Sequence, residues 1–260
     1  MITAIAKMHR AIEGYEFTDD TYDNYILALR DTRLRLEQCA PGELVYQWVD
    51  ALKNWLFIEV YKAQNIAKGL KPGLSEGAHI RLQSGGGFPY IALIPIVRQI
   101  PISLHDLANR RIRALAEMSN MIVNWGSEIY SCHKEIVRSN DHHDLIEIVG
   151  NAYGCNRQDA LKIYIQMYEK IVKRFIELYE EVKLSSNDPV IGCYLDALID
   201  YAGGGLYFTQ KSPRYIFTDN DESQRYYIEE GFKRTPTETA RDFDLIPSLA
   251  WWWHVGNERM

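Results

Sequence analysis

Apolar positions recur every three to four residues along most of the chain, the period of an α-helix with one buried face. Ile2, Ile5, Ala6, Met8, Ala11 and Ile12 predict a helix over 2–13 that stops at Gly14. Thr18 reads as the cap of a second helix, with Asp19 and Asp20 in its positive first turn and an apolar stripe from Tyr25 to Leu36 that stops before Pro41. From Glu43 to Lys68 the apolar residues (Leu44, Val45, Trp48, Val49, Leu52, Trp55, Leu56) cover so much of the circumference that a largely buried helix is predicted. A short helix opening at Ser75-Glu76 breaks at Gly85-Gly86-Gly87, and an apolar segment runs on to about Ile100. Ser103 caps what reads as one very long helix from Leu104 to Arg138, closed by the polar run Ser139-Asn140-Asp141. Helices over 143–153, 157–184 and 190–209 follow, and beyond Lys211 the pattern degrades. No strand-like alternation with hairpin turns and no internal repeat is found, so the prediction is all-α.

Composition narrows the class. The 260 residues carry a net charge of −6, without the basic excess of a general nucleic-acid binder. An apolar share of 47% with 25% charged residues suits a core-forming globular chain. Cys39, Cys132, Cys155 and Cys193 form no CxxC pair, which argues for reduced thiols rather than a zinc ribbon or a disulfide framework. No apolar run reaches membrane-span length and the N-terminus lacks a secretory pattern, so a cytoplasmic protein without a membrane span is expected.

The stretch most able to carry chemistry is Ser127-Glu128-Ile129-Tyr130-Ser131-Cys132-His133-Lys134-Glu135. Positions 127, 131 and 135 drift only about 40° per step around a helix, so two hydroxyls and a carboxylate share one face. Such oxygens suit a hard divalent cation such as Mg²⁺, and Lys134 beside them suits a phosphate.

This stretch resembles the metal-binding triad of class I terpene synthases (terpene cyclases), N-D-x-x-S-x-x-x-E with a basic residue before the Glu. The resemblance implies that Ser131 and Glu135 are metal ligands, that Lys134 contacts diphosphate, and that Ser127 stands in the Asn slot with Glu128 in the acidic slot after it. A serine hydroxyl is shorter than an Asn amide, so Ser127 departs from the pattern. Arg81 lies 46 residues before Ser127, where the family carries its diphosphate-sensing Arg, and Ser84 and Gly85 fall at the linker and effector positions. Arg214-Tyr215 lies 87 residues after Ser127, where the family has an Arg-Tyr pair that hydrogen-bonds diphosphate. HHDLIEIV and the long helix after it also resemble family segments, so the likeness covers roughly 25–216.

The resemblance implies a helical bundle over 1–216 with an irregular extension over 217–260. It further implies Mg²⁺ (or Mn²⁺) as cofactor, a prenyl diphosphate (farnesyl, geranyl or geranylgeranyl) as substrate, and a homodimer as an admissible assembly. Arg81, Lys134, Arg214 and Tyr215 would act on the diphosphate, with Ser84 and Gly85 at its binding site. An aromatic-lined cavity should shelter the carbocation, with Phe57, Phe88, Tyr90, Trp125, Tyr201 and Tyr207 as candidate lining. The family also carries an Asp-rich metal motif. Asp19-Asp20-x-x-Asp23 has that form but stands only 108 residues before Ser127, closer than the family's spacing; it reads as a capped helix start, placing the Asp-rich motif outside this chain. A homologue without that motif could serve as a binding protein instead. A third reading, a helical phosphohydrolase, would use His142, His143 and Asp144 together with His133 and His105-Asp106. Trp251-Trp252-Trp253 reads equally as lid, partner surface or core anchor.

Overall fold

The computed structural model describes residues 2–13, 24–138, 143–218, 221–225 and 245–255, with backbone alone for 132–138, 216–218 and 221–225. Eleven α-helices are found among them: α1 (Ile2–Ile12), α2 (Asn24–Cys39), α3 (Gly42–Ala67), α4 (Leu74–Ser84), α5 (Gly87–Val97), α6 (Leu104–Ala108), α7 (Arg110–Arg138), α8 (Leu145–Tyr153), α9 (Arg157–Ser185), α10 (Pro189–Lys211) and α11 (Pro213–Ile216). The bundle is all-α as predicted. Thr18, Asp19, Asp20 and Asp23 lie outside the described residues, so the proposed cap before α2 does too.

Local chemistry sets most boundaries. Ser103, Asp144, Asn156 and Asp188 each accept a hydrogen bond from a backbone N–H in the first turn of the following helix. Gly154 closes α8 at φ 63°.

Three expectations are corrected. The helix predicted from Leu104 to Arg138 is two, because Asn109 leaves the helical region at ψ 130° and its side-chain oxygen takes the N–H of Arg111 at 2.9 Å. The asparagine ends one helix and caps the next. α3 is not largely buried: Leu44, Val45, Trp48, Val49, Leu52 and Leu56 are, but Tyr46, Phe57 and Ile66 are exposed. Finally, a two-stranded antiparallel ribbon, β1 (Phe217–Thr218) and β2 (Asp221–Arg225), follows α11.

α7 is the axis of the bundle and packs against α4, α5, α9 and α10. Ile112, Leu115, Met118, Met121, Ile122 and Trp125 fill the core from its length, and Trp125 stacks on Tyr164 of α9 at 4.9 Å. The Tyr164 hydroxyl donates to the Trp125 carbonyl at 2.9 Å. A second small core, Ile12 with Trp48, Val49 and Leu52, joins α1 to α3.

The tryptophan run is a core anchor. It forms a short 3₁₀ turn, Ala250–Trp253, in which Trp252 is fully buried. Its indole N–H donates to Glu117 at 2.9 Å, and Arg174 donates to its carbonyl at 3.1 Å. Ile246, Leu249 and Val255 join the same core.

Candidate functional site

The site grows from the break between α4 and α5. Gly86 sits at φ 73°, a conformation that glycine adopts without strain, and turns the chain from one helix into the next. Two side chains hold the turn: the Trp55 indole N–H donates to the Ser84 carbonyl at 3.1 Å, and the Asn120 amide donates to the Leu82 carbonyl at 2.8 Å. The approach to α7 is close enough to demand glycine. A Cβ at Gly87 would stand 1.8 Å from Asn120 Oδ1 and 2.6 Å from the Tyr201 hydroxyl, and one at Gly85 would stand 2.2 Å from the Asn124 side chain.

One turn before the break, Arg81 reaches across to α7. Its Nη2 donates to the Asn124 carbonyl at 3.1 Å and lies 3.5 Å from Ser127 Oγ, while its Nε pairs with Glu128 Oε2 at 2.9 Å. Ser127 is buried, 9% exposed, and its hydroxyl donates to the Asn124 carbonyl at 2.9 Å. Ser131, half-buried, stands one turn further along α7. So Arg81, Ser127 and Glu128 meet, with Ser131 on the adjoining turn. Ser84 and Gly85 lie next to them at the break.

Lys134 and Glu135 continue α7, but their side chains lie outside the described residues. Arg214 and Tyr215 are on α11, which packs against both α7 and α10. Arg214 is exposed and lies over the Tyr215 ring at 5.8 Å, while Tyr215 meets Phe208 edge-on at 6.3 Å. Between α7 and α10, the Tyr130 hydroxyl is bonded to Gln210, and burial pushes its pKa up.

Sequence reasoning missed Asn120 and Asn124, which hold the break and the arginine. Their signal was present: Asn120, Asn124, Ser127 and Ser131 form a polar stripe at steps of four, three and four along α7. Glu128 was placed in the acidic slot of the motif, but its pairing with Arg81 was not foreseen.

A cavity of about 430 Å³ lies between α3, α5, α6, α10 and the first half of α7, where Ile112, Ala116 and Glu117 line it. That is several turns before Ser127, and of the six proposed aromatics only Phe88 lines it. Trp125 belongs to the core, Tyr201 is half-buried beside Gly87, and Phe57, Tyr90 and Tyr207 are exposed. The phosphohydrolase cluster does not assemble among the described residues. Asp144 caps α8 through the Ile146 N–H at 2.9 Å and pairs with Arg157 at 2.5 Å, whereas Asp106 bonds Ser103 on distant α6. His142 and the side chain of His133 lie outside the described residues.

The sequence family described as "Terpene synthase family 2, C-terminal metal binding" matches residues 2–174, more than half of the chain. The chain belongs to the class I terpene synthase family. Its curated relatives include bonnadiene synthase of Allokutzneria albata, 24% identical over 97% of this chain and 70% of the relative. Spiroviolene synthase of Streptomyces violens is also 24% identical, over 95% of this chain and 68% of the relative. Among solved structures, the SVS_A2 protein from ancestral sequence reconstruction superposes with a TM-score of 0.77 at 22% identity, covering 97% of this chain and 70% of that one. Linalool/nerolidol synthase from Streptomyces clavuligerus, in complex with 2-fluorogeranyl diphosphate, gives 0.72 at 15% identity over 80% of this chain and 73% of that one. At these identities the structural likeness establishes the fold.

The terpene synthase family is described as metal binding, and the donors here fit a hard divalent cation in kind, being hydroxyl and carboxylate oxygens. Ser127 fits least, because its proton goes to Asn124 and a guanidinium stands 3.5 Å from its oxygen. Ser131 lies one turn further from that charge. Among the described residues, no group of three His, Cys, Asp or Glu side chains gathers as a metal site. Nor is any described helix long and apolar enough to cross a membrane.

Proposed function

We propose that this chain is a terpene cyclase, a lyase that releases diphosphate from a farnesyl, geranyl or geranylgeranyl diphosphate and cyclises the carbocation. The observation that carries the reading is the convergence of Arg81 with Ser127, one turn from Ser131, on the α7 face that continues to Lys134 and Glu135. The names of the relatives, bonnadiene synthase and spiroviolene synthase, support it. In this reading residues 1–216 form the catalytic helical unit, and 217–260 form an extension whose described part anchors its core.

Arg81 binds the diphosphate through a planar guanidinium that matches phosphate oxygens, and Arg214 and Lys134 add positive charge as the leaving group departs. Tyr215 donates its hydroxyl to the same headgroup. Ser131 and Glu135, with Ser127 as the weakest donor, would hold Mg²⁺ or Mn²⁺. When bound, that ion supplies Lewis-acid neutralisation of the leaving diphosphate. Ser84 and Gly85, at the α4–α5 break, would belong to the diphosphate's binding site.

The test is incubation with each of the three diphosphates and Mg²⁺, with volatile products read by gas chromatography–mass spectrometry. Cyclic hydrocarbon or alcohol products support the reading. Absence of product with all three, from a folded sample, overturns it. The internal bonding of Ser127 favours a second reading, a fold retained for binding without turnover. Calorimetry with Mg²⁺ and inorganic diphosphate separates the two: metal-dependent binding without product selects the second.

A further inference from the structure

From the contacts around Arg81 we infer that Glu128 is a positioning residue: it orients the headgroup arginine and ties the site to the start of α8, and it is not a metal ligand. The inference rests on the prenyl diphosphate reading above. Glu128 is 2% exposed, so its charge must be matched where it sits. Its two oxygens do different work. Oε2 is ion-paired with the Arg81 guanidinium, 2.9 Å from Nε, and Oε1 accepts the backbone N–H of Leu145, the first residue of α8, at 2.7 Å. A helix N-terminus carries partial positive charge, so both oxygens face positive ends.

Arg81 is thereby fixed along two edges. Nε is held by Glu128, and Nη2 by the Asn124 carbonyl on α7 at 3.1 Å. Two anchor points define the plane of a guanidinium, and that plane sets how it meets a phosphate. Around α7 Glu128 is about 100° from Ser127, about 60° from Ser131 and about 20° from Glu135, so its engagement with Arg81 and Leu145, not its helical face, assigns its role. With Oε1 accepting the Leu145 N–H and Oε2 in the ion pair with Arg81, the carboxylate is already engaged on both oxygens. One residue before Leu145, Asp144 pairs with Arg157 at 2.5 Å, so the connection runs on through the α8 start to α9. α8 in turn packs against α4, the helix that bears Arg81.

The test compares wild type with Glu128→Gln and Glu128→Asp for kcat, KM and the half-saturating Mg²⁺ concentration. Glu128→Gln keeps the acceptor for Leu145 but removes the charge that aligns Arg81. The expected result is a roughly ten- to hundredfold fall in kcat, the scale of a misplaced catalytic group, with KM and the Mg²⁺ requirement within about twofold of wild type. An unchanged kcat overturns the inference. A Mg²⁺ requirement that rises in step with the loss also overturns it, in favour of a ligand role. Should Glu128→Gln not fold, Glu128→Asp carries the same criteria, because it keeps the charge and withdraws it by one methylene. If wild type turns over none of the diphosphates, the proposed function fails, and thermal melts decide the pairing alone. Arg81→Gln and Glu128→Gln should then each lower Tm, with the double variant no lower than the worse single. Additive shifts overturn the pairing.

Discussion

Trp55 on α3 and Ser84 at the end of α4 are joined by a single hydrogen bond, indole N–H to backbone carbonyl, at 3.1 Å. The helix break beside the candidate site is therefore pinned from a third helix. A terminal carbonyl of α4 finds its partner in this ring. Trp55→Phe keeps most of the ring and removes only the donor. It is expected to lower stability by roughly 0.5–1.5 kcal/mol, the usual worth of one such bond. Product yield should fall more than the change in Tm explains, because the loosened carbonyl lies beside Arg81. Melts and product assays on one preparation check this; an activity loss no larger than the unfolded fraction refutes the second half.

A methyl group at Gly87 has nowhere to go. The Asn120 oxygen would be 1.8 Å away, and Asn120 is itself committed to the Leu82 carbonyl. Gly87→Ala should destabilise by about 1–3 kcal/mol through overpacking. Asn120→Ala alone also destabilises, because Leu82 loses its donor. The double variant is expected to be less unstable than the sum of the two, since the truncated asparagine makes room for the methyl. Denaturant melts of the four proteins measure the coupling, and strict additivity would refute the close approach.

Within the proposed triad, the two ends should differ. Ser127 is bonded inward to Asn124 and stands against Arg81, so Ser127→Ala removes a weak donor and is expected to reduce turnover less than tenfold. Glu135 supplies the triad's only carboxylate, and Glu135→Gln should cost at least 10–100-fold, the range typical of a lost metal-site interaction. Mg²⁺ titrations of both variants rank them. The reverse order would place the metal near Ser127.

Most helices were legible because their signals are local: Asn156, Asp188 and Gly154 act within a turn of themselves. The break at Asn109 was legible in principle, for an asparagine ahead of two arginines is an ordinary cap, but the continuing apolar period masked it. The shared face of Ser127, Ser131 and Glu135 follows from helix geometry alone. Pairing Arg81 with Glu128 does not, because it joins residues 47 apart in sequence through the packing of α4 on α7. The buried tail was harder still. Trp252 and Leu249 find their core only once α7 and α9 are assembled, and a short 3₁₀ turn has no period to betray which residue faces inward.

That tail contact also carries a pH dependence. Glu117 is mostly withdrawn from solvent, and this desolvation raises its pKa above the ordinary 4.5; the Trp252 indole and Arg113 pull the other way and do not cancel it. A carboxyl with a raised folded pKa binds its proton more tightly folded than unfolded. Its favourable contribution is thus complete below the unfolded pKa and is lost as pH rises through the folded value. Glu117→Gln keeps an oxygen for the Trp252 N–H and has no charge to desolvate. The variant should therefore be more stable than wild type at pH 7, by about 2–4 °C in Tm for each kcal/mol gained. The two curves should converge as the pH falls below 4.5, where wild-type Glu117 is also neutral. Melts from pH 4 to 8 test this, and a variant less stable than wild type at pH 7 would mean that the charge on Glu117 stabilises the tail instead of burdening it.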